Sequence, residues 1–169
     1  MFNQCSDLID TEGLKYLDTG SCTDFSNMFT ACPSLKEIKG LENWNVSNGI
    51  NFSNMFCANF ELTDIKPLEN WNLSKAKSLE GIFFGCTKLT DIRPLQKWDV
   101  SNVSDFSSMF FGCELLSDIK PIENWNVSNG NDFSNLFFGC KSLKNIDPLD
   151  NWNPPDTAKS DNFLPQELL

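Results

Sequence analysis

The sequence contains no histidine and few basic residues. Against 13 Lys and Arg there are 23 Asp and Glu among 169 residues, so the formal net charge is −10. This balance argues against nucleic acid as a partner, because phosphate neutralisation needs clustered Lys and Arg, and it disfavours an anionic membrane surface. Without histidine the chain lacks the usual near-neutral acid or base and the commonest transition-metal ligand. We therefore expect a protein that is not an enzyme and has no cofactor.

Long hydrophobic runs are also missing. No apolar stretch approaches the roughly 18 residues of a membrane-spanning helix, and Met1–Cys5 lacks both the basic and the apolar region of a signal peptide. We expect no membrane insertion and no export signal within this segment. The 7 cysteines are too few for a small disulfide scaffold and odd in number.

A 27-residue repeat dominates what is present. The tryptophans lie at positions 44, 71, 98, 125 and 152, so every interval is 27 residues. We number the places within a unit from 1, at the tryptophan, to 27. The frame divides the chain into a half unit, 1–16, and the full units 17–43, 44–70, 71–97, 98–124 and 125–151. After Trp152 the sequence repeat ends.

The apolar places of the repeat predict a fold. Places 25, 1 and 3 have the spacing of a leucine-rich-repeat strand, and places 9, 12, 13 and 16 have the spacing of one short helix face that glycine at place 15 would end. Stacked copies would put like residues about 5 Å apart. We predict an α/β leucine-rich-repeat solenoid, right-handed, of about six 27-residue coils over residues 1–151, with one parallel β-strand and a short helix or turn per coil. Residues 152–169 would form a C-terminal cap or exit tail.

The motifs resemble a known family. The strings WNVSN, DFSSMFFGC and CKSL, joined by IKPLENW, are similar to the repeats of BspA-type leucine-rich-repeat surface proteins over residues 1–152. The resemblance implies a solenoid that binds macromolecules, often as a surface adhesin, and hence a cell-surface or secreted location. The missing signal peptide and unpaired thiols leave a cytosolic or virus-associated location as alternatives.

Two inward columns have competing interpretations. The tryptophans could form a sugar-stacking stripe, but their place in the strand spacing favours the core. Place 16 holds cysteine five times: Cys5, Cys32, Cys86, Cys113 and Cys140. Identical places 27 residues apart offer a single file of thiols and not the paired ligands of a zinc site. We predict buried free thiols and no metal.

Two outward surfaces are candidate binding sites. The polar columns, at places 2 and 4, would line the concave face of a solenoid, where such proteins bind partners, although stacked Asn and Ser could also serve only to stabilise the coils. Their members are Asn45, Asn72, Asp99 and Asn126 with Ser47, Ser74, Ser101 and Ser128. The Phe stripe, at place 14, consists of Phe84, Phe111 and Phe138. It predicts an apolar interface on the convex side, unless neighbouring elements cover it.

Two functions follow from these surfaces. The first is a non-enzymatic binding module that recognises a protein or glycan partner through the polar concave face. The alternative is a structural or assembly protein that docks onto other chains, or onto copies of itself, through the Phe stripe and the exposed ends of the solenoid.

Overall fold

The computed structural model describes residues 1–168, so the last residue of the expected tail, Leu169, lies outside the described residues. Its regular elements are short 3-10 helices separated by turns and extended segments. The helices are Glu12–Leu14, Leu41–Asn43, Lys66–Leu68, Arg93–Leu95, Lys120–Ile122, Asp147–Asn151 and Gln166–Leu168. Three of them begin at place 23, and the proline that follows at place 24 fixes the backbone φ for a tight turn.

Like residues of successive units stack directly on one another. The rings of Phe25 and Phe52 lie 5.1 Å apart and nearly parallel, as do those of Phe106 and Phe133. The indoles of Trp98 and Trp125 stack at 6.5 Å with an interplanar angle of 4°. The four tryptophans at 44, 71, 98 and 125 are buried, which confirms their prediction as core residues.

Backbone hydrogen bonds hold the units in register. The amides of Phe25, Asn27 and Phe29 donate to carbonyls 26 residues further along the chain, at 2.8–2.9 Å. Isolated parallel bridges join place 8 of each unit to place 8 of the next, in the series Asp24, Asn51, Ser78, Asp105, Asp132 and Lys159. The repeats therefore form a stack of coils joined by a parallel ladder.

The strand predicted at places 25, 1 and 3 is wrong in position. Places 23–25 form a 3-10 turn in the Lys66, Arg93 and Lys120 units, and the parallel bridges lie at place 8 instead. The turn uses the carbonyl of place 25, since Leu68 accepts from the amide of Trp71 at 3.1 Å. Proline one place earlier has no amide to donate to a sheet, so these residues cannot continue a ladder.

The short helix predicted over places 9–16 does not form either. Places 11 and 15 have left-handed backbones in successive units, for example Asn54 with φ 58° and Gly85 with φ 70°. Two left-handed residues within eight break a right-handed helix, and the amides of this segment donate to the next coil instead. The segment forms turns, and the right-handed leucine-rich-repeat solenoid stays a prediction.

The backbone register continues past the last tryptophan. Lys159 bridges to Asp132, and the amides of Phe133 and Phe137 donate to the carbonyls of Lys159 and Phe163. The ring of Phe163 meets Phe133 edge-on at 6.4 Å. The segment after Trp152 thus adds part of another coil, although its sequence no longer follows the repeat.

Within residues 1–168, no helix is long and apolar enough to span a bilayer.

Candidate binding surfaces

The Phe stripe is a continuous stack of rings on the surface. The rings of Phe84 and Phe111 lie 4.5 Å apart with an interplanar angle of 2°, and those of Phe111 and Phe138 lie 5.4 Å apart. All three side chains are half-buried, so they cover one another in part and leave ring surface open to solvent. The structure therefore brings together the three residues that the sequence grouped at place 14.

Glycines run beside the stripe at the next place along each coil. Gly112 has φ +68°, and a Cβ on Gly139 would come within 3.3 Å of the Gly112 Cα. A side chain at this place would therefore meet the backbone of the neighbouring coil in a left-handed conformation that favours glycine. The stripe is consequently bordered by bare backbone, which leaves one side of the rings accessible.

Acidic side chains lie on the same ladder as the stripe. Glu80 precedes Phe84 by 4 residues, and Asp105 and Asp132 precede the other two rings by 6. Burial raises the pKa of Glu80, and the negative charges of Asp105 and Asp132 raise it further. This mutual repulsion shows that the three carboxyl groups are close enough to create a negative potential beside the rings.

The polar columns form a different surface. The members at place 2 are exposed, and their side chains close local turns: Asp99 Oδ1 accepts from the amide of Ser101 at 3.1 Å and from its hydroxyl at 2.6 Å. The same turn recurs where Asn45 meets Ser47, Asn72 meets Ser74 and Asn126 meets Ser128. Side chains at place 5 then join the turns of neighbouring coils, since Asn102 Nδ2 donates to the Ser74 carbonyl at 2.9 Å. The columns are brought together as expected, and part of their hydrogen-bonding capacity stabilises the coils.

The cysteine column donates hydrogen bonds inside the stack. The thiols of Cys86, Cys113 and Cys140 are buried, and each lies 3.1–3.3 Å from the carbonyl of the phenylalanine 30 residues earlier. Burial raises the pKa of all three, that of Cys140 to about 12, so they are protonated donors at neutral pH. Free cysteine at this place was predicted, and all seven thiols are unpaired in the structure. The described residues offer no group of three or more acidic or cysteine ligands for a metal ion.

These thiols should be protected from alkylation and disulfide exchange. Because the thiolate is the nucleophile and burial disfavours it, we expect Cys86, Cys113 and Cys140 to be inert to Ellman's reagent in the native protein at about pH 8. The partly exposed Cys5 and Cys22 should react. All 7 thiols should react in guanidinium chloride, which serves as the control. Native labelling of Cys113 as fast as that of Cys22, read by mass spectrometry, would contradict the buried assignment.

Stacked near-identical coils with columns of like residues on the surface define a tandem-repeat protein whose surfaces, and not a cavity with reactive groups, are its candidate sites. The chain belongs to the family described as "Mycoplasma protein of unknown function, DUF285", whose pattern matches residues 1–94 and 78–165. That membership agrees with a repeat family, while the surface-protein role implied by the BspA-type resemblance stays a prediction.

Further similarity is limited. Among curated proteins the chain has no match. Among solved structures, an internalin from Listeria monocytogenes is similar at 13% sequence identity over 92% of this chain, with a TM-score of 0.19. The chain spans 62% of the length of that internalin.

Sequence reasoning missed two features of these surfaces. It interpreted glycine at place 15 as a helix end, whereas the glycines leave the bare backbone that borders the stripe. It also treated Asn59 only as an exception in the cysteine column. The side chain is buried and donates through Nδ2 to the Phe29 carbonyl at 3.0 Å, just as the thiols of other coils donate. The signal that could have found it is the shared ability of asparagine and cysteine to donate a hydrogen bond.

Proposed function

We propose that this protein is a non-enzymatic binding module that recognises a protein partner through the Phe stripe. The observation that carries the proposal is the stack of three parallel, half-buried rings of Phe84, Phe111 and Phe138 on the surface. Contiguous apolar surface of this kind is costly to leave in water and typically marks an interface. The bordering glycines let a partner chain approach the rings closely.

The charges around the stripe indicate the chemistry of the partner. Glu80, Asp105 and Asp132 supply negative potential on the same ladder, and the whole chain carries a net charge of −10. Complementary charge speeds association and selects among partners. A segment that combines apolar side chains with Lys or Arg would satisfy both the rings and the carboxylates.

The same proposal includes the architecture that presents the stripe. We propose that the stacked coils form a right-handed leucine-rich-repeat solenoid, supported by the 27-residue register of the ladder and of the ring columns. Repeat solenoids bind through extended surfaces built from equivalent positions. The resemblance to BspA-type repeats supports an adhesin-like role on a cell surface.

A second candidate surface is provided by the polar columns. Asn45, Asn72 and Asn126 are exposed, and their amide Nδ2 groups have no hydrogen-bond partner within residues 1–168. A row of free amide donors suits a protein backbone or the hydroxyl groups of a glycan. Self-association through the stripe is the structural alternative, in which the partner is a second copy.

A peptide-display experiment separates these candidates. Random peptides are selected on the wild-type protein, and the affinities of the selected peptides are then measured for Phe111→Asp and Asn126→Asp, which each add one carboxylate. We expect peptides rich in Lys, Arg and apolar residues, and Phe111→Asp should weaken their binding about tenfold or more. Asn126→Asp is the matched control and should leave their affinities within about twofold.

The outcomes distinguish the surfaces. Weaker binding in Asn126→Asp with full binding in Phe111→Asp would transfer the function to the polar columns. Sedimentation velocity of the same proteins tests the structural alternative, because an oligomer of the wild type that dissociates in Phe111→Asp would identify the partner as a second copy.

A further inference from the structure

The stack of indoles repeats one hydrogen bond in every coil. Trp71 Nε1 donates to the Leu41 carbonyl at 2.9 Å, and Trp98 Nε1 donates to the Leu68 carbonyl at 2.9 Å. Trp125 and Trp152 donate in the same way to the carbonyls of Leu95 and Ile122. Each of these carbonyls also accepts from the backbone amide of its own tryptophan, as Leu68 does from Trp71. The carbonyl at place 25 is therefore one half of an indole-binding site.

The same half-site exists once more at the end of the stack. The Leu149 carbonyl accepts from the Trp152 amide at 2.9 Å, and no indole N–H reaches it within the described part of the chain. The ring of Trp152 stacks on Trp125 at 6.3 Å on one side. Unlike the buried indoles of the inner coils, Trp152 is only half-buried.

A cavity of about 490 Å³ opens beside this half-site. Its walls are mostly apolar and include Phe133, Leu149, Trp152, Pro155, Ala158 and Phe163. Ser160, which also lines it, lies at place 9, where the other coils have phenylalanine or leucine. The small serine leaves open the space that a ring fills elsewhere in the stack, and cavities of roughly 300–1,000 Å³ are the usual size for ligand sites.

We propose that this cavity binds an indole ring, and that the ring is the tryptophan side chain of a partner polypeptide. The ring would stack on Trp152 and donate its N–H to the second lone pair of the Leu149 carbonyl, as Trp152 itself does to Ile122 one coil earlier. A polypeptide source is favoured because each inner copy of the site is filled by a side chain of a chain that runs along the neighbouring coil. The site shares no residue with the Phe stripe, so either proposal can fail without the other.

Ligand-detected fluorine NMR tests the site with two probes, 5-fluoroindole and N-acetyl-5-fluorotryptophanamide. We expect both to bind the wild-type protein with a dissociation constant of about 1 mM or tighter. Ala158→Trp places a ring inside the cavity and should abolish binding. Thr157→Trp is the matched control: it adds the same ring one residue away, at an exposed position outside the cavity lining, and should leave binding unchanged.

The hydrogen bond is tested without any substitution. An N-methylated 5-fluoroindole cannot donate to the Leu149 carbonyl, so it should bind roughly three- to tenfold more weakly than 5-fluoroindole. Equal affinity of the two would overturn the carbonyl as the acceptor. Absence of binding by both probes at about 5 mM would overturn the site, and so would undiminished binding to an Ala158→Trp variant whose circular dichroism shows it folded. Binding of 5-fluoroindole without the tryptophanamide would overturn the polypeptide source.

Discussion

Replacing Phe110 with alanine should lower the free energy of unfolding by about 3–5 kcal/mol. The ring is fully buried and stacked between Phe83 at 5.9 Å and Phe137 at 5.7 Å. Its removal leaves a cavity in the middle of the aromatic column, which the rings above and below cannot fill because backbone hydrogen bonds fix the spacing of the coils. Urea denaturation followed by tryptophan fluorescence measures the change.

The adjacent residue provides the matched control. Phe111 has the same side chain in the same coil, but it lies on the half-buried Phe stripe, so Phe111→Ala should cost about 1 kcal/mol or less. Equal losses for the two substitutions would contradict the division of this aromatic pair into one core ring and one surface ring. That division also explains why Phe111, and not Phe110, is the residue to substitute in a binding experiment.

The burial pattern of the chain could be predicted from the period alone. A residue type that recurs every 27 positions experiences the same environment in every coil, so a single unit determines which places face inward. The burial of Trp71, Trp98 and Trp125 and the stacking of the phenylalanines follow from this. The three members of the Phe stripe were identified in the same way, because place 14 follows an inward ring.

Local structure could not be predicted in the same way, because spacing does not report the sign of φ. Places 9, 12, 13 and 16 have the apolar spacing of a helix, yet a series of tight turns that alternates right- and left-handed residues gives the same inward pattern. The decisive residues are those at places 11 and 15, such as Asn54 and Gly85, which adopt positive φ. Asparagine and glycine are the residues that tolerate this conformation, so the signal was present but was interpreted only as a helix end.

The cavity beside Trp152 was missed for a related reason. The sequence repeat ends at that tryptophan, which suggested a change of structure, whereas the backbone continues in register through Phe163. Only the continued register shows that Ser160 occupies a place where other coils have a large apolar side chain. A departure from the repeat is therefore informative when the backbone keeps the repeat, because it marks a site that the remaining coils fill with their own side chains.

A departure within the cysteine column leads to the second large effect. Asn59→Leu should lower the free energy of unfolding by about 2–4 kcal/mol, because it leaves two buried backbone groups without partners. Asn59 Nδ2 donates to the Phe29 carbonyl at 3.0 Å, and its Oδ1 accepts from the Cys32 amide at 2.9 Å. Leucine is similar in size, so the loss reports hydrogen bonding more than volume. Urea denaturation gives the value.

The control uses the residue that other coils place here. In Asn59→Cys the thiol can donate to the Phe29 carbonyl, as Cys86 donates to the Phe56 carbonyl at 3.3 Å, but nothing replaces the acceptor for the Cys32 amide. We therefore expect Asn59→Cys to cost about half as much as Asn59→Leu. If leucine were tolerated as well as cysteine, the donor at this place would not stabilise the stack, and the cysteine column would have to be explained by its size and apolar character alone.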